Sequence, residues 1–197
     1  MKKFSITIFA VVITIFAGNA SAFDPRDLQK LKDTGNCVKC DLSKAMLKYA
    51  NLQNANLKYA NLQDSVLTDA NLSGANLQNA NLERAKLKNA QLLRTNLDNA
   101  NLQYANLDNA NLQNAILIGA NLNSAFLSNA FLIGTNLQGA SLIQATLEKS
   151  DLALTNLKDA DLSGAYMSGA FSYKALMNGA IFCNTVMPDK STIYSGC

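Results

Sequence analysis

The chain has 197 residues, 49% of them apolar, with 17 Lys and Arg against 14 Asp and Glu for a formal charge of +3. It contains no His and no Trp, which excludes Ser-His-Asp and Cys-His nucleophile pairs, His-based zinc sites and an imidazole pH switch. Charged residues are 16%, below the roughly 25% of ordinary soluble domains, so Asn and Gln must supply much of the polar surface.

The first element is an export signal. Lys2 and Lys3 precede an apolar run from Phe4 to Ala17, and Ala20-Ser21-Ala22 provides the small residues of a cleavage site. The run is shorter than the roughly 20 residues of a bilayer span. This predicts a cleaved Sec-type signal over residues 1–22 and no stable membrane insertion afterwards. Loss of Lys2 and Lys3 lowers the formal charge from +3 to +1, leaving no bias toward nucleic acid or acidic lipid.

Residues 23–36 read as a capping helix. Asp24 suits the N-cap, Pro25 the first helical position and Gly35 the C-terminal stop. Phe23 and Leu28 have the spacing of a hydrophobic staple. Leu28 and Leu31 can then cover the start of the adjoining segment.

Residues 37–187 repeat every five. From Leu42 to Leu162 each fifth residue is Leu, twenty-five in succession, and Met167, Ser172, Met177, Phe182 and Met187 keep the register. Two places before each Leu stands Ala, or one of Ser65, Thr95, Thr135, Ser150 and Thr155. A period of five fits neither a helix nor a flat strand. It fits a square coil in which each unit is one side, with Leu and the small residue pointing inward. Four sides close a coil, and coils stack at about 4.8 Å with hydrogen bonds along the axis. The thirty units then make about 7.5 coils and a rod of roughly 36 Å. Columns such as Leu52, Leu72, Leu92, Leu112, Leu132 and Leu152 form the core. Seven glycines, from Gly74 to Gly179, all lie two places after the central residue, as expected for a type II turn with positive φ there. Tyr49, Arg84 and Lys149 in that place predict corners of another turn type. The recurrent Asn before Leu predicts ladders of stacked side chains.

The Ala-(Asn/Asp)-Leu-x-x array, as in Ala50-Asn51-Leu52, Ala75-Asn76-Leu77 and Ala105-Asn106-Leu107, resembles the pentapeptide-repeat family from Cys40 to Met187. The resemblance implies an all-β fold, a right-handed quadrilateral β-helix; its handedness comes from the resemblance alone. The opening Cys37-Val-Lys-Cys40-Asp41-Leu42 and the ending Met187-Pro188-Asp189 with Ser195-Gly196-Cys197 are similar to exported members, notably those of cyanobacteria. That implies the periplasm or thylakoid lumen, or secretion. Residues 188–197 are expected to form a capping tail, with Pro25 and Pro188 bracketing a solenoid whose ladder either would break.

Export favours disulfides. Cys37 and Cys40 sit at one end and Cys183 and Cys197 roughly 30 Å away, too far to share one zinc. Cys183–Cys197 is the expected bridge, pinning the tail. Cys40 falls in an inward place, either bonded to Cys37 or reduced in the core, and Cys37 could instead face a partner. The Cys-x-x-Cys redox reading lacks its strand–helix context.

Counting by twenty assigns outward residues to sides. On one side the place before Leu holds Met46, Val66, Lys86, Asn106, Phe126, Thr146, Tyr166 and Val186; the next side carries Leu93, Phe131, Ile133, Leu154, Phe171 and Tyr173. Leu93, Phe126, Phe131, Ile133, Tyr166, Phe171 and Tyr173 are the candidate surface for an unknown protein partner or self-association; scattered surface apolars are the alternative. A non-enzymatic scaffold in an exported compartment is the favoured function. A glycan-binding or glycan-processing β-helix would need carboxylates in a cleft; Asp64 and Glu83, near Arg84, come nearest, but no insertion walls a cleft. Some cytosolic family members protect DNA gyrase by mimicking nucleic acid, which needs a strongly negative surface that a charge of +1 does not provide. Ice binding would need outward Thr rows, and Thr68 is nearly alone. No catalytic residue, metal, cofactor or nucleic-acid partner is expected.

Overall fold

Five residues make one side of a coil because of where their backbone groups point. In the unit around Leu72, the Asn71 N–H donates to Ala50 O of the preceding coil (2.9 Å), and the Leu72 and Gly74 N–H groups donate to Gln91 O and Leu93 O of the following coil (2.7 and 2.8 Å). The Ala75 N–H then closes a turn onto Leu72 O at 2.9 Å. Parallel bridges join residues twenty apart, from Asn36↔Asn56 to Tyr166↔Val186, so four such sides complete each coil. The structure, a computed structural model, describes residues 23–197; the expected signal at 1–22 lies outside the described residues.

Every turn is alike. At the place two after the inward residue, all residues from Lys39 to Asn184 have positive φ, between +54° and +74°. Tyr49 (+61°), Arg84 (+55°) and Lys149 (+55°) conform, which corrects the expectation of another turn type there. Their N–H groups donate to Thr68 O, Gln103 O and Ser168 O (3.1, 2.9 and 3.0 Å), so the ladder sets the backbone whatever the side chain. A left-handed conformation costs a non-glycine residue about 1–2 kcal/mol. No Val, Ile or Thr occupies the place, where branching at Cβ would raise that cost.

The fifth N–H of each unit, one place after Leu, has no part in the ladder. Asn before Leu accepts it: Ser73 donates to Asn71 Oδ1 (3.0 Å), Gln103 to Asn101 Oδ1 (3.2 Å) and Gln113 to Asn111 Oδ1 (3.1 Å). Where an apolar residue or Ser replaces that Asn, an acceptor on the preceding coil can substitute, as Asp98, Asp108 and Asn123 do for Ile118, Ser128 and Ile143. A side-chain ladder also exists, running from Asp41 through Asn61, Asn81 and Asn101 to Asn121. Elsewhere the Asn side chain chiefly serves its own backbone.

Leu52, Leu72, Leu92, Leu112, Leu132 and Leu152 are all buried in one continuous column. The hydroxyls of Thr95, Thr135, Thr155 and Thr185, in inward small-residue places, donate to the carbonyls of Leu72, Leu112, Leu132 and Leu162 at 2.7–2.8 Å. They therefore enter the core without an unpaired polar atom.

At the N-terminal end, α1 (Pro25–Thr34) is capped by Asp24, which accepts from the Arg26 N–H at 2.8 Å, and stopped by Gly35 at φ +65°. Leu28 and Leu31 point into the core. Phe23 and Asp24 donate to Ser43 O and Asp41 O (both 3.1 Å). The repeat geometry starts one unit before the first Leu, with Cys37 in the inward place. At the other end β1 (Thr185–Val186) pairs antiparallel with β2 (Thr192–Ile193). Pro188 stays in the ladder through its carbonyl, which accepts from Gly169 at 2.9 Å. Its missing N–H falls at the one place the ladder leaves out, so the tail does not begin at Pro188 as a break.

Leu112→Ala should cost about 2–5 kcal/mol. Asn129→Val should cost about 1–2 kcal/mol, whereas Asn129→Gly should stay within about 0.5 kcal/mol of the native protein. Guanidinium unfolding of the purified chain measures all three.

Candidate interaction surface

The four sides are numbered by their inward residues: side 1 holds Leu42 and Leu62, side 2 Leu47 and Leu67, side 3 Leu52 and Leu72, side 4 Leu57 and Leu77. On side 2, Phe126 and Tyr166 are exposed, separated by one coil carrying Thr146. On side 3, Phe131 bridges to Asp151, which bridges to Phe171; both Phe rings are exposed. Phe171 stacks on Tyr173 with centroids 6.2 Å apart and planes 14° from parallel, and Leu154 is exposed at the adjoining turn. Leu93 and Ile133 are half-buried.

Further exposed apolar residues lie beyond these two sides. Ile116, Ile118 and Leu176 project from side 4, and Ile181 from side 1. The same count by twenty finds them, so their signal is present in the sequence. In the last coil the apolar residues thus ring the end, with Phe171, Leu176, Ile181 and Val186 in equivalent places.

The carboxylates near Arg84 are arranged for pairing. Arg84 Nε and Nη2 donate to the two Asp64 oxygens (2.8 and 3.2 Å), and Nη1 donates to Glu83 Oε1 (2.6 Å). The guanidinium holds the Asp64 carboxyl below the usual carboxylate range. A general acid working near neutrality needs the opposite shift, so this cluster is built as an ion pair on a flat side. Among the described residues no group of three His, Cys, Asp or Glu could hold a metal.

Both cysteine pairs are bonded. Cys37 and Cys40 occupy successive inward places across the first turn, with Cα atoms 5.2 Å apart, and both are buried. Cys37 therefore does not face a partner. The Cys183–Cys197 bond, Cα–Cα 4.8 Å, holds the tail to the last coil.

The family model for pentapeptide repeats matches eight copies between residues 36 and 187. Similar solved structures include HetL, a pentapeptide repeat protein involved in heterocyst differentiation regulation from the cyanobacterium Nostoc sp. strain PCC 7120. It is 34% identical, covering 80% of this chain and 70% of that one, with a TM-score of 0.48. A pentapeptide repeat protein from the Arabidopsis thaliana thylakoid lumen is 28% identical over 46% of this chain and 66% of that one, with a TM-score of 0.29. QnrB1, a plasmid-mediated fluoroquinolone resistance protein, is 16% identical over 82% of this chain and 85% of that one, with a TM-score of 0.42. No curated protein matches the chain.

A double-mutant cycle on Asp64→Asn and Arg84→Ala should give a coupling below about 1 kcal/mol near pH 7, because the pair is solvated. Since the folded carboxyl is depressed, the coupling should be complete above its ordinary pKa of 3.8 and lost as pH falls through the lower folded value. Chemical denaturation at pH 7 and near pH 2 reads it.

Proposed function

Because the chain belongs to the pentapeptide-repeat family, we propose that it is a non-enzymatic scaffold, a right-handed four-sided β-helix of about 7.5 coils that presents fixed surfaces to a protein partner. The observation that carries this reading is the gathering of exposed aromatic residues on sides 2 and 3 of the C-terminal half, on a frame with no cleft-forming loop among the described residues. The interface consists of Phe126 and Tyr166 on side 2 with Leu93, Phe131, Ile133, Phe171 and Tyr173 on side 3. Rigid side-chain placement favours recognition, since little conformational freedom is lost on binding.

The setting is an exported compartment, periplasm or thylakoid lumen. The basic and apolar N-terminal run followed by Ala20-Ser21-Ala22 supports this, as do two disulfides that an oxidising compartment would maintain. The mature chain then starts at Phe23. Terminal sequencing of protein from its native host should begin there, and the unreduced protein should show no free thiol. A start at Met1 or reactive thiols in the native protein would overturn the placement.

The interface is tested by affinity capture from that compartment. Phe131→Asp with Phe171→Asp should lose the captured partner at unchanged far-UV circular dichroism. Gln78→Asp with Gln138→Asp, at polar positions of side 4, should retain it. An identical partner set for both variants would refute the proposed surface.

A further inference from the structure

Charge is ordered along side 2. Its outward places, directly before and after each inward residue, carry Lys48, Lys86 and Lys88 toward the N-terminal end and Asp108 and Glu148 beyond them. Among the described residues no other side is divided in this way. In the same places side 1 has only Asp41, Glu83 and Asp161, side 3 has Asp151 alone, and side 4 has Lys58 and Lys158 about Asp98. The three side 2 lysines are exposed, and Asp108 and Glu148 are half-buried. None of these five is held in an ion pair among the described residues. Apolar groups occur in both halves of the side, Met46 and Val66 among the lysines and Phe126 and Tyr166 beyond Asp108.

We propose that side 2 binds side 2 of a second copy of this chain, face to face and antiparallel. The two-fold axis lies across the side, between the coils of Asn106 and Phe126. Such an axis sets each column of outward places opposite itself and reverses the order of the coils. Lys88 then faces Glu148 of the second copy, Lys86 faces Thr146, and Val66 faces Tyr166. The two Phe126 side chains stand one coil apart, about 4.8 Å along the rods, and pack together at the axis. The charged turn residues Asp69 and Lys149 face Gly169 and Asn89, so no like charges meet. Charge also selects this arrangement over its neighbours. A shift of one coil sets Asp108 against Asp108 in one direction and against Glu148 in the other. A parallel pair, with its axis along the rods, sets Lys86 against Lys88. Opposed like charges disfavour wrong pairings and fix the register. The contact is isologous and closes at a dimer. The inference rests on the lateral surface proposed above: it names the occupant of side 2 and leaves side 3 to the protein partner.

The disulfide-bonded mature chain should sediment as a dimer at about 100 µM, a concentration suited to a small interface. Lys88→Glu alone and Glu148→Lys alone should each associate about tenfold more weakly, because each places like charges in both symmetry-related pairs. Mixed in equal amounts, the two variants should dimerise as the native chain does, since every facing pair is then of opposite sign. A folding defect would not be repaired by mixing. Phe131→Asp with Phe171→Asp should leave the dimer intact. A monomeric native chain, a single variant that dimerises as well as the native chain, a mixture no stronger than its components, or a dimer lost through the side 3 variant would each overturn the proposal. Capture of the partner through side 3 is a separate readout, so a failed dimer and a failed scaffold are told apart.

Discussion

Backbone hydrogen bonds between successive coils set the place of nearly every side chain in this protein. Of the five N–H groups in a unit, three enter the ladder between coils, one closes the turn, and the last is left for a side-chain acceptor. Each bond contributes only about 0.5–1.5 kcal/mol net, but the ladder extends over the whole repeat. Its first consequence is a left-handed residue at every corner, glycine or not. The second is an Asn or Asp before Leu in most units, where Oδ1 accepts the N–H the ladder omits. Leu and Ala fill the interior because the ladder fixes how wide it is.

Much of this was legible in the residues. The Leu register located the core, and Asp24, Pro25 and Gly35 marked both limits of α1. Tyr49, Arg84 and Lys149 mislead because single-residue preference carries no trace of the bonds that override it. The Asn column suggests side-chain ladders; the dominant partner is the nearby backbone, a contact two residues away that spacing by twenty does not reveal. Cys37–Cys40 is ambiguous in sequence because burial alone fits a thiol or a disulfide; the Cα separation of 5.2 Å across one turn suits the bond. The path of the C-terminal tail was not legible, since it depends on where a short hairpin turns.

Of the candidate surface, the structure places Phe171 and Tyr173 in contact and aligns Phe131 with Phe171 across one intervening coil. Phe126 and Tyr166 belong to the adjoining side, and Leu93 and Ile133 offer only part of their side chains. The carboxylates that most resembled catalytic groups are held by one guanidinium. Among the described residues the identical turns leave no long loop to wall a pocket, so the proposed recognition rests on the flat sides.

The ladder is tested most directly by a distance along the rod. Lys58 and Lys158 stand in equivalent places on side 4, five coils apart by successive bridges of twenty residues. Spin labels at these two positions should give one narrow electron–electron distance of about 24 Å, five times the inter-strand spacing. A broad distribution, or a mean beyond about 35 Å, would contradict a continuous twenty-residue register.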